Sequence, residues 1–207
     1  MKTPLLLLFL FLGSGNAEKF LNEVPSYNND SFFKEKVYAE HDWKSFMQLK
    51  EANEIVNPDN YDLHLLNAAV FFSTNKLREK KNMKQFSYSP KLRDAALVHS
   101  YQMVDKKFFD HFNKRSIPLR TPDNRIQLFG TFANAAGENI DYTHIAMPSQ
   151  TTYVQLGELI VDDWFHSAPH KKNMLNKNFG ALGCGSFFET KNKNGARYVK
   201  ATQDFSN

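Results

Sequence analysis

Phe179-Gly180-Ala181-Leu182-Gly183-Cys184-Gly185-Ser186-Phe187-Phe188 is the stretch on which the fold turns. It is apolar and punctuated by glycine, the composition of a buried strand that another backbone approaches closely. Asn194-Gly195 follows as a hairpin signal, and Arg197 to Phe205 makes the returning strand. Upstream the period is helical. From Tyr61 onward Leu63, Leu66, Val70 and Leu77 recur at helical spacing, and Arg78, Lys80 and Lys81 suit the C-terminal end of that helix dipole. Ser89-Pro90 starts a second helix with Leu92, Ala95, Ala96, His99 and Met103 on one face. Thr121-Pro122 starts a third, closed by Gly130. A fourth runs from about residue 151 to 167 with Tyr153, Leu156, Ile160 and Trp164 along one side, and Pro169 marks its end. Helices first and an antiparallel hairpin last predict an α+β domain, with helices packed on a small sheet.

The chain has 207 residues, 42% of them hydrophobic, with 19 Phe and one Cys. That length suits one domain and supplies a sizeable core. A single cysteine excludes an intramolecular disulfide and any cysteine-rich zinc module. The formal charge of +4 is too mild to point to nucleic acid as a partner. A mean hydropathy of −0.53 fits neither a multispan membrane protein nor a disordered chain.

Residues 1–17 read as a secretory signal peptide. Lys2 is the positive start, Leu5 to Leu12 the apolar run, and Gly15 and Ala17 the small residues of a cleavage site after Ala17. The run is too short for a transmembrane anchor, so a secreted or periplasmic location is expected. Export without disulfides suits a bacterial protein. Residues 18–60 are a polar N-terminal extension lying on the main domain, with a short helix expected over about 31–50. The main domain is expected over 61–207.

Histidine carries the chemistry, because it changes charge near neutral pH and is the commonest metal ligand. His111 follows the second helix, His170 follows the fourth, and Glu138 sits in Gly137-Glu138-Asn139, read as a loop between them. Two imidazoles and a carboxylate converging across a cleft suit a divalent ion, zinc foremost, with a position left for water. The spacing alone equally suits histidines that satisfy backbone groups near helix ends. His166 and His170 are four apart, but Pro169 keeps them off a shared helical face. His99 reads as a satisfied core histidine and Cys184 as a buried, inert thiol. No His-Glu-x-x-His string and no Gly-x-Ser-x-Gly elbow occur. With no recognisable nucleophile, the residues favour binding over catalysis.

The ordered set of segments over residues 61–205 resembles the CAP superfamily, also called SCP domains, in its bacterial branch. The family is named for cysteine-rich secretory proteins, antigen 5 and pathogenesis-related 1 proteins. The residues that carry the resemblance are Leu65-Leu66-Asn67 with Asn75 and Arg78, the apolar face of the second helix with Ser100, and Phe108-Phe109-Asp110-His111. Pro122 with Arg125, Gly137-Glu138-Asn139-Ile140, Trp164-x-x-Ser167-x-x-His170, Asn173-Met174-Leu175, the Gly180-to-Gly185 strand and Gln203-Asp204-Phe205 complete it. The resemblance implies an α-β-α sandwich, a three-stranded antiparallel sheet between helical layers, with a large cleft. It also implies a cleft set of His111, Glu138, Ser167 and His170, with a divalent ion on His111 and His170. Ser167 stands where many animal members have a second Glu. Family roles imply a lipid, sterol or protein ligand. Two further readings follow from the same residues: a zinc-dependent extracellular hydrolase with Glu138 as general base, and an interaction protein acting through residues 18–60. Core packing in place of disulfides is expected from the Phe residues, including Phe71, Phe72, Phe108, Phe109, Phe187 and Phe188.

Overall fold

The computed structural model describes residues 17–131, 133–146, 150–189 and 196–207. All of the expected signal peptide except Ala17 lies outside the described residues, as does the Asn194-Gly195 turn. The helices of the main body are α1 (Leu63–Lys80), α2 (Pro90–Asp105), α3 (Pro122–Leu128), α4 (Tyr153–His166) and α5 (Ala168–Met174). The strands are β1 (Ser87–Tyr88), β2 (Ala136–Ile145), β3 (Ala181–Phe188) and β4 (Arg197–Ser206).

Side-chain caps explain the helix starts. Asp62 accepts from His64 N and Leu65 N at the head of α1, Ser89 from Leu92 N at α2, and Thr121 from Asn124 N at α3. Thr152 and Gln155 form a reciprocal capping box at α4. Each such cap contributes about 1 kcal/mol to its helix.

The sheet has the order β1-β3-β4-β2, with β4 antiparallel to both β3 and β2. The three-stranded antiparallel unit expected from the sequence is present, and a fourth strand adds to it. The two-residue β1 pairs parallel with β3 through Ser87↔Ala181 and Tyr88↔Leu182. It was invisible in sequence because two residues directly before a helix cap carry no period. Past β1, side chains finish the edge of β3: Asn67 Oδ1 accepts from Ser186 N at 2.7 Å and Tyr61 Oη from Phe188 N at 3.3 Å. The second difference is β2, whose residues 137–139 had read as a loop. Its buried positions include Glu138, Asn139 and Thr143, so no apolar alternation announces a strand.

Helices cover both faces of the sheet. Thr202 meets Ser100 of α2 at 2.8 Å, whereas its strand neighbour Gln203 donates to Thr74 of α1 at 2.7 Å. Adjacent strand residues point to opposite faces, so α2 and α1 lie on opposite sides. The α2 layer sits directly on the strand backbone. A Cβ at Gly183 would collide with the Leu92–Arg93 backbone, and one at Gly185 with Ala96–Leu97.

The N-terminal extension belongs to the same core. Phe33, Val37, Phe46, Ala52 and Val56 are buried in one cluster with α1 and α4, and Phe46 stacks on Phe72 with centroids 4.4 Å apart. In place of one helix over 31–50 there are short turns, Lys36–Glu40 and Trp43–Phe46, the second started by an Asp42/Ser45 capping box. Irregular apolar spacing brings these side chains inward from separate turns. Of the phenylalanines assigned to the core, Phe71, Phe72 and Phe188 are buried and Phe108 and Phe187 half-buried, but Phe109 is exposed.

Candidate functional site

The site is built around Glu138, near the start of β2. Its side chain is only 1% exposed, and both oxygens are engaged. Oε1 meets His111 Nδ1 at 2.7 Å and Oε2 meets an Arg125 guanidinium nitrogen at 2.5 Å. A carboxylate only accepts, so His111 donates Nδ1–H and, when neutral, presents a bare Nε2. Arg125, buried on α3, also fastens the loop that carries His111. It donates to the carbonyls of His111 at 3.0 Å and Leu119 at 2.8 Å. Lys107, at φ 54, turns the chain out of α2 into this loop.

Two further groups complete the buried layer. His99 of α2 is fully buried, with Nε2 3.1 Å from the Asp110 carbonyl and 3.9 Å from Glu138 Oε1. Burial lowers it to about 3, so at neutral pH it is an uncharged donor to Asp110. Asp204 of β4 is the cross-strand partner of Glu138 and is fully buried. Burial pushes its carboxyl well above the usual carboxylate range, and the Glu138 charge pushes it further. Burial also acts to raise Glu138, but positive charge on His99, the His111 hydrogen bond and Arg125 together outweigh it. Glu138 is thus held well below the ordinary range. At neutral pH, with His99 uncharged, Arg125 and His111 hold the carboxylate. The two adjacent carboxyls are therefore pushed in opposite directions, Glu138 toward the ionised form and Asp204 toward the protonated one.

His170 lies in the first turn of α5. Its carbonyl accepts from Asn139 Nδ2 at 3.1 Å, and Asn173 of the same helix donates to the Glu138 carbonyl at 3.2 Å and to Asn139 Oδ1 at 2.9 Å. Burial lowers the pKa of His170, and the proximity of His111 lowers it further. Ser167 is the extended residue between α4 and α5, and its described hydrogen bonds are backbone ones, to Trp164 and Lys171. His166 stays exposed on α4 beside Asp162 and shares no face with His170.

The sequence pattern of the CAP, cysteine-rich secretory protein family matches residues 71–205. The chain belongs to this family. Among CAP relatives, Bacillus subtilis YkwD, an uncharacterized protein, is 34% identical over 112 residues, 54% of this chain and 38% of YkwD. The uncharacterized B. subtilis membrane protein YlbC is 27% identical over 112 residues, 54% of this chain and 29% of YlbC. The chain therefore matches well under half the length of either relative. An extracellular protein of Bacillus anthracis containing an SCP domain superposes with TM-score 0.55 at 25% identity, over 73% of this chain and 44% of that one. An outer surface protein of Borrelia burgdorferi shares the fold at TM-score 0.53 and 15% identity, over 75% of this chain and 99% of that one.

Among the described residues no three His, Cys, Asp or Glu side chains stand together as a metal-holding group. Glu138 stands behind His111 and accepts from its Nδ1, the way a carboxylate orients a metal-ligating histidine. By residue type, the imidazoles of His111 and His170 are the groups that could hold a divalent ion.

Sequence reading missed Arg125, His99 and Asp204 as parts of this layer. Asp204 carried a usable signal: it lies in the returning strand read from the sequence, and an acid buried in a strand must be paired, protonated or functional. No described helix is long and apolar enough to cross a membrane.

Proposed function

We propose that this CAP protein is an exported binding module whose recognition cleft opens at His111 and His170. One observation carries the reading: Glu138 is sealed, ionised and committed on both oxygens to His111 and Arg125. A general base needs an accessible carboxylate with basicity near the working pH. Glu138 has neither property, and its geometry makes it an orienting group, which favours binding over the hydrolase reading. The open groups are the imidazoles of His111, whose side chain is 40% exposed, and of His170. They suit a divalent ion, zinc by ligand type, that leaves positions for a ligand's own oxygen. Export is supported by the apolar leader in residues 1–17 and by likeness to the B. anthracis extracellular protein. A lipid, a sterol or another protein is the ligand class for the cleft. The interaction reading of residues 18–60 is disfavoured, because that segment supplies core side chains.

Calorimetric titration with zinc tests the proposal. Wild type binds the ion, His111→Ala and His170→Ala each abolish binding, and Glu138→Gln weakens it about 10- to 100-fold. Absence of zinc binding would remove the metal from the proposal. Chelator-sensitive turnover lost in Glu138→Gln while zinc binding persists would establish the hydrolase instead.

A further inference from the structure

Residues 105–120, the end of α2 and the loop after it, differ from the rest of the surface in two ways. The first is apolar exposure. Phe109 is 47% exposed, Phe112 51% and Ile117 76%, and the exposed ring of Tyr142 lies against Phe109 with centroids 5.7 Å apart. The second is charge. Lys106, Lys107, Lys114, Arg115 and Arg120 are all exposed, against Asp105 and Asp110. This segment therefore holds +3 of the chain's +4, and everything else sums to +1. Asp105 is paired with Lys106 at 2.6 Å, and Asp110 turns one oxygen toward Phe112 N at 3.0 Å.

The loop frame is fixed from within. Leu119 and Asn113 are fully buried, Asn113 N donates to the Arg120 carbonyl at 2.8 Å, and Asn113 Oδ1 accepts from Arg115 N at 3.0 Å. Arg125 holds the frame at His111 and Leu119. Phe112 and Ile117 are held out in water by a frame that buries their neighbours Asn113 and Leu119.

We propose that residues 105–120 dock this protein on an anionic lipid bilayer, with Phe112 and Ile117 entering the headgroup–acyl boundary and the five cations facing lipid phosphates. Apolar side chains beside Lys and Arg are the composition of interfacial anchors, which combine buried apolar area with attraction to anionic lipid. Charge complementarity selects the anionic surface. The composition favours lipid over an acidic protein: Phe112 and Ile117 are exposed apolar side chains flanked in sequence by the exposed Lys114 and Arg115, whereas the centre of a protein interface is depleted of charge. A fluid bilayer surrounds each tip separately. The docking rests on Phe112, Ile117 and the cations, and none of its tests uses His111 or His170.

Vesicle co-sedimentation tests the proposal, using protein without residues 1–17, whose apolar run would itself partition into lipid. That protein retains every packed element described above. It binds vesicles of equal phosphatidylglycerol and phosphatidylcholine but not phosphatidylcholine alone. Binding weakens as salt shortens the screening length from about 10 Å at 0.1 M to about 3 Å at 1 M. Lys114→Gln with Arg115→Gln lowers the partition coefficient about 25-fold, taking about fivefold for each cation. Phe112→Ser with Ile117→Ser lowers it about tenfold or more. Circular dichroism confirms that the variants stay folded, and Ile117→Ser alone, at the most exposed tip, serves if the pair does not. Failure to bind anionic vesicles at low salt overturns the proposal. So does unchanged binding by the apolar variants, or capture of polyglutamate without capture of vesicles, which would assign the patch to an acidic protein.

Discussion

The buried floor of the site and its exposed mouth use the same residue types to opposite ends. In the floor, Glu138, Asp204, His99 and Arg125 are sealed from water; burial holds His99 uncharged, Glu138 is held toward its ionised form and Asp204 pushed toward its protonated one. In the mouth, His111 and His170 are partly exposed and keep ring nitrogens free of the floor. The one side-chain hydrogen bond described between floor and mouth runs from His111 Nδ1 to Glu138, and Arg125 adds a bond to the His111 carbonyl. The contrast teaches that a carboxylate in a cleft is not a catalytic group by default. Glu138 has no open oxygen, so its contribution passes through the histidine it aims.

The hardest way to break this division is to remove the cation of the floor. Arg125→Ala leaves Glu138 buried without its partner, and we expect a loss of about 3–5 kcal/mol in urea unfolding. Arg125→Met with Glu138→Gln restores part of it, because no uncompensated charge then remains. A double variant as unstable as the single one would show that the arginine acts only through the loop carbonyls.

A smaller effect separates the two carboxyls by pH. The folded pKa of Asp204 is raised above its unfolded value of about 3.9, so the native state holds the extra proton between the two. Its contribution to stability is full below about pH 3.9 and is lost as pH rises toward the folded value, at no more than about 1.4 kcal/mol per pH unit. Asp204→Asn removes that slope and becomes the more stable protein at pH 8. Below about pH 6.5 stability falls with acid in wild type and variant alike. His99, lowered to about 3, and His64, lowered to about 4, are buried uncharged, and stability falls as acid forces protons onto them. Equal slopes for both proteins above pH 5 would mean that Asp204 is ionised in the fold.

The smallest effect belongs to the mouth. His170→Ala changes urea stability by about 0.5 kcal/mol or less, as partly exposed positions do, and leaves the Asp204 slope intact. A larger loss would move His170 from the mouth to the floor.

How much of this was legible in sequence follows the range of the interactions. Ser89-Pro90, Thr121-Pro122 and the glycine-spaced β3 are local signals, and each fixed its element. His111, Glu138 and His170 were legible from their places at element ends and from the family motifs, and the structure brings His111 onto Glu138. The floor was not legible, because Glu138 meets Asp204 only through the register of β2 on β4. His99 looked like an ordinary core residue for a sound reason: it is buried and hydrogen-bonded to a backbone carbonyl. Only the long-range placement of Glu138 beside it makes it part of the site. Phe109 failed as a core assignment because the loop frame turns it outward.

The glycines of β3 have a further consequence for His111. At Gly183 and Gly185 no strand side chain stands between α2 and β3, so backbone meets backbone there and sets the spacing. The helix is thereby seated on a hard stop. Its last turn ends where the His111 loop begins, so the loop inherits the sheet as its datum. Substitutions elsewhere in the core can repack without moving that reference, whereas Gly183→Ala or Gly185→Ala would lift the helix and shift the alignment of His111 with Glu138.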